Sequence, residues 1–205
     1  TFNSTVAVTT LDISDTENSQ TVQFDGSLTA NTLTTTSQGY GVSLLGGGTI
    51  TTDTTFLNTG AITIGDGTGD TTTFTGGLDM TAGGSENLAG TIIATNQQID
   101  VGAANVSADA TIDGGSGAIN LGAMTLSDGV TLTVGTGGSG APTITSVSGT
   151  ASGTASNLTL NTTGTASVGA VGTDLGTVTV TQSGGTTFSS TCLLYTSDAA
   201  DEGFC

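Results

Sequence analysis

The sequence predicts an all-β fold, a parallel β-solenoid (β-helix) in which short strands stack turn upon turn. Three observations lead there. Apolar residues alternate with Thr and Ser in short runs, and a period of two is the mark of a half-buried strand. Clusters of Gly, Asn, Asp and Ser break those runs roughly every 8 to 16 residues, as turns do. Degenerate motifs recur along the chain, as expected when one supersecondary unit is copied and stacked.

The first strands are marked by Val6 and Val8, Leu11 and Ile13, then Val22 and Phe24. The Thr residues between such pairs are β-branched and suit the solvated face of a strand. Val42 and Leu44 follow, and Gly46-Gly47-Gly48 ends that run. Ile62 and Ile64 precede the Asp66-Gly67 turn, and Leu78 and Met80 form the next pair. Ser85 to Gln98 is the best helix candidate, but Ile92 and Ile93 are adjacent and no convincing helical face forms. Ile99 and Val101, Ile119 and Leu121, Met124 and Leu126, Leu132 and Val134, Leu158 and Leu160, and Val178 and Val180 complete the series. Between them stand Asp113-Gly114-Gly115, Asp128-Gly129 and Gly137-Gly138. Gly tolerates positive φ, and Asp and Asn cap their own backbone, so these read as turns.

The repeats are loose. Gly60-Ala61-Ile62-Thr63-Ile64-Gly65 recurs as Gly117-Ala118-Ile119-Asn120-Leu121-Gly122. Thr-Thr-Phe ends at Phe56, Phe74 and Phe188, and Gly-Thr-Ala-Ser starts at Gly149, Gly153 and Gly164. With strands of about five residues and coils of roughly 20, residues 1–191 give on the order of eight to ten rungs. Val, Ile and Leu are expected inside, and Thr, Ser and Asn outside. No capping element is evident at either end, and the chain starts at Thr1, so a fragment of a longer protein is expected.

Composition narrows the function classes. The 205 residues include no Lys, Arg or His but 17 Asp and Glu, a net charge of −17. No side chain can hold a phosphate by charge, serve as an imidazole base or pair with the chain's own carboxylates. Nucleic acid and acidic membrane surfaces are repelled. Apolar residues make up 34% and charged residues only 8%, which argues against a disordered chain. No apolar run of about 18 residues exists, so no membrane-inserted helix is expected, and no signal peptide is visible.

Residues 192–205 depart from this pattern. Cys192-Leu193-Leu194-Tyr195-Thr196-Ser197-Asp198-Ala199-Ala200-Asp201-Glu202 resembles a translated sequencing adapter, and both Cys residues fall within 192–205. The expected organisation is therefore a repeat segment over 1–191 and a non-native tail over 192–205. Without the tail the chain has no Cys, which suits a secreted bacterial surface protein.

Two stretches carry a resemblance. One runs from Phe56-Leu57-Asn58-Thr59-Gly60-Ala61-Ile62-Thr63-Ile64-Gly65 to Thr73-Phe74-Thr75-Gly76-Gly77-Leu78. The other is Val168-Gly169-Ala170-Val171-Gly172-Thr173-Asp174-Leu175-Gly176-Thr177-Val178-Thr179-Val180. They resemble the β-strand repeats of large bacterial exoproteins, the filamentous-haemagglutinin-like adhesins and autotransporter passengers. The resemblance implies a right-handed β-solenoid shaft, secreted to or displayed on the outer surface of a Gram-negative cell. It departs from the family in lacking the Asn-Pro-Asn secretion element, since Pro142 is the only proline, and an aromatic-girdled membrane barrel.

The function expected is thus a non-catalytic shaft segment of a surface adhesin. Host-cell or surface glycans and proteins would be met by regions outside this segment. The first alternative is a Ca²⁺-dependent surface-layer protein. Asp66 and Asp70 bracket Gly67-Thr68-Gly69, and hard cations take carboxylate and turn-carbonyl oxygens. Asp109 and Asp113 share that spacing, and Asp12, Asp15 and Glu17 cluster near the start. The second alternative is a β-helix carbohydrate-active enzyme, which needs paired carboxylates on one cleft. Its lyase form lacks a cationic base, and no His can activate a Ser. Finally, Thr32-Leu33-Thr34, Thr131-Leu132-Thr133, Thr143-Ile144-Thr145 and Thr177-Val178-Thr179 each point two hydroxyls to one face. Ranks of such pairs order water and bind ice only at constant spacing, and in the sequence these sites are irregular.

Overall fold

Short, Thr-rich, alternating runs separated by Gly can satisfy their backbone groups only by pairing with the next run. In the computed structural model, which describes residues 1–14, 17–150 and 153–189, they do so throughout. The described residues are all-β, with nineteen strands in one continuous sheet wound as a β-solenoid of about nine turns. Strands one turn apart pair in parallel from Val6–Leu28 to Val168–Phe188. The tail expected over 192–205, and Asp15, lie outside the described residues.

Each full turn has three sides. The first carries the inward column Val6, Leu28, Gly48, Thr72, Ile92, Ile112, Val134 and Leu160, with Val180 in register on the last turn but exposed. The second carries Leu78, Ile99, Ile119 and Pro142, and beside them Val101, Leu121, Ile144, Val168 and Phe188. The third carries Val22, Val42, Ile62, Glu86, Ala104, Met124 and Val147. These columns meet in one apolar core, where each enclosed Val, Leu, Ile or Phe contributes about 1.5–3 kcal/mol.

Turn length varies while the columns on each side stay in step. Partners are 18 residues apart at Glu86 and Ala104 and 26 apart at Thr131 and Asn157. The corners absorb the difference. This separates the two copies of the sequence repeat: Ile62 lies on the third side and Ile119 on the second. The repeat therefore marks a strand type, not a fixed place in the turn. Of the helix candidate Ser85–Gln98, Ser85–Ala94 is a strand and the rest is a bend. The strand's alternation is broken by a register shift between Leu88 and Gly90, where Leu88, Ala89 and Gly90 are all buried and Gly90 takes φ +70°.

Bulk is shared out across the narrow interior. Tyr40, Phe24, Phe56 and Phe74 are fully buried in the N-terminal half, with Phe56 and Phe74 edge to face at 6.4 Å. The small Gly48 and Thr72 stand in the inward column at those levels. Gly48 has φ +133°, and a Cβ there would sit 1.9 Å from the Leu28 carbonyl oxygen. The Tyr40 hydroxyl donates to the Ile13 carbonyl at 2.6 Å and accepts from the Thr36 N–H at 2.8 Å, tying two turns together.

Candidate functional site

A chain without Lys, Arg or His must hold its acids with neutral donors, and the corners show how. The Asp70 carboxylate accepts the Asp66 and Gly67 N–H groups, both at 2.9 Å, and so clamps its own turn. The two side chains proposed as a Ca²⁺ site are thus brought together. The carboxyl of Asp66 is pushed above the usual carboxylate range, first by its hydrogen bond to the Asp70 side chain and then by slight desolvation at this exposed corner. Asp109 and Asp113 do not converge: they flank Thr111 on one strand. Asp109 accepts the Thr131 N–H at 2.8 Å, and Asp113 accepts the Gly115 N–H and the Thr136 hydroxyl.

Several of these bonds span a full turn. Asp12 accepts from Thr34, Asp100 from Asn120 and Asp128 from Thr150, at 2.7 to 2.8 Å. Thr and Asn one turn along do the work that Lys and Arg do elsewhere. On the second side Asp79 and Asp100 are register partners, and with Asp53 they line an open groove. Asp79 accepts the N–H and hydroxyl of Thr81, and Asp100 accepts the Gln98 amide. Among the described residues no group of three or more acids is placed to hold a metal ion.

One acid points inward. Glu86 is 1% exposed and stands in the apolar column between Ile62 and Ala104. The Gly102 N–H donates to it at 2.9 Å. Desolvation pushes its carboxyl up to about 7, with a smaller contribution from the negative charge of Asp79. Alternation alone carried the signal for this residue, since Glu86 lies two before the buried Leu88.

The most regular outward feature is on the first side. Thr71, Thr91, Thr111, Thr133, Thr159 and Thr179 are successive register partners, one per turn over six turns. Thr131, Asn157 and Thr177 run beside them, two residues earlier in the strand. Thr29, Thr49 and Thr73 run on the other flank at lower turns. Of the four Thr-x-Thr sites read in the sequence, those at 131–133 and 177–179 belong to this array. Thr143-Ile144-Thr145 lies on the second side, and Thr32 and Thr34 lie elsewhere on their turn, with Thr34 held by Asp12.

No protein-family model, curated protein or solved structure matches this chain.

Proposed function

We propose that this chain is a shaft segment of a large secreted bacterial surface adhesin and has no catalytic role. The supporting observation is the unbroken register column from Val6 to Val180, which makes about nine turns one mechanical unit. A rod whose backbone bonds all run to the next turn extends a binding region from the cell without a large globular core. Adhesion to host-cell or surface glycans and proteins belongs to regions outside this segment. The location is the extracellular face of the outer membrane. Labelling of intact cells that carry the gene, with an antibody raised against residues 17–150, tests this. Label outside the envelope is expected, and label found only after lysis overturns the reading.

The Ca²⁺-dependent surface-layer reading rests on the Asp66–Asp70 pair, whose carboxyl groups face one another. A calcium titration followed by circular dichroism separates the two. The shaft reading expects an unchanged β-signal, and a large gain would favour the surface layer.

A further inference from the structure

We propose that the Thr column of the first side binds ice. This goes beyond the shaft reading and holds or fails independently of it. The sequence spacing of the Thr sites is irregular, but the corners absorb that irregularity. What reaches the surface is a straight rank, Thr71 to Thr179, with one hydroxyl and one methyl per turn. Neighbouring turns in such a ladder lie about 4.8 Å apart, and positions two along a strand about 6.7 Å apart. Where a second Thr stands two residues away, at Thr71–Thr73, Thr131–Thr133 and Thr177–Thr179, the two spacings together lie close to the oxygen spacing of an ice surface.

Two further observations point to water as the ligand. First, none of the six hydroxyls is hydrogen-bonded to another described residue. Several Thr elsewhere on the surface are engaged: Thr34 with Asp12, Thr52 with Asn31, Thr150 with Asp128 and Thr163 with Gly138. The column leaves an outward rank of donors and acceptors over six turns. Secondly, the column itself is uncharged. Of the nearest strand acids, Asp113 is drawn to Gly115 and Thr136, while Asp109 accepts the Thr131 N–H and lines a shallow depression beside Thr91, Thr111 and Thr133. A charge in the rank would hold liquid-like hydration, whereas neutral hydroxyls and methyls let ordered water extend across the face.

Rigidity completes the argument. Thr is stiff at χ1, and identical neighbours above and below restrict it further. The hydroxyls are therefore positioned before any ligand arrives, and little ordering entropy opposes binding.

Ice-crystal shaping and recrystallisation inhibition by the purified 205-residue chain test the proposal, with far-ultraviolet circular dichroism confirming the fold of each variant. The wild type is expected to facet growing crystals and to hold grain size. Thr111→Tyr, which raises a bulky ring in mid-rank, is expected to lose both effects. Thr143→Tyr, on the second side, is expected to keep them. If Thr111→Tyr fails to fold, Thr159→Tyr replaces it at another turn with the same expected loss. A wild-type chain that leaves ice unshaped overturns the proposal, as do folded column and control variants that behave alike.

Discussion

At the scale of single residues, Glu86 departs furthest from its surroundings. Its neighbours in the column are Ile62 and Ala104, and water is excluded from it. Folding raises its pKa from 4.5 to about 7, so the folded state holds the proton more tightly than the unfolded one. The stabilisation is therefore fully present below about 4.5 and is lost as pH rises through about 7. Each pH unit in that window removes up to ~1.4 kcal/mol. Thermal melts of the wild type and Glu86→Gln across this range should diverge: the wild type loses stability with rising pH, and the variant loses less. Parallel curves would show that the carboxyl does not titrate in the fold. Gly48 is a second single point of dependence. Its positive φ and the Leu28 carbonyl leave no room for a methyl, so Gly48→Ala should cost about 3 kcal/mol or more in denaturant unfolding. Neither role was plain from residue type. Glu86 reads as a solvated acid, and Gly48 as one of three consecutive turn glycines.

At the scale of elements, strands and corners carry different information. Because side-chain period two is a local property, every apolar pair read from the alternation falls on a strand of the structure except Leu78 and Met80, where the strand ends at Asp79. The Ser85–Ala94 strand was obscured because its register shift buries Leu88, Ala89 and Gly90 in succession. The Thr column was hidden for another reason: its members stand 20, 20, 22, 26 and 20 residues apart, at no constant interval. The inferred remedy is to align strands by their inward residues and ignore the corner lengths. This makes a testable contrast. Two residues inserted at Gly137, in the corner before Pro142, should change the melting temperature little. One residue inserted between Leu132 and Thr133 would turn the rest of that strand over, and should abolish cooperative unfolding. Similar melts for the two insertions would mean that register is not what holds the stack.

At the scale of the whole molecule, the charge is all of one sign. A net −17 with no Lys or Arg leaves only repulsion between distant carboxylates. Raising salt from 0.01 to 0.15 M shortens the screening length from about 30 to about 8 Å. The melting temperature should rise over that range in calorimetry, and a fall would point to attractive pairs. The same composition leaves trypsin no cleavage site, so the chain should stay intact under trypsin even after heating, as judged by gel electrophoresis.

That the columns stay in step through turns of unequal length has a genetic consequence. Ile92 and Ile112 are partners in one column, so removing residues 93–112 joins Ile92 to Asp113 at an equivalent place on the next turn. Every side keeps its chemistry, and the rod shortens by one spacing of about 4.8 Å. Recombination between mismatched repeats of the gene can thus lengthen or trim the molecule a turn at a time. The length of the solenoid can then change while each remaining turn presents the same faces.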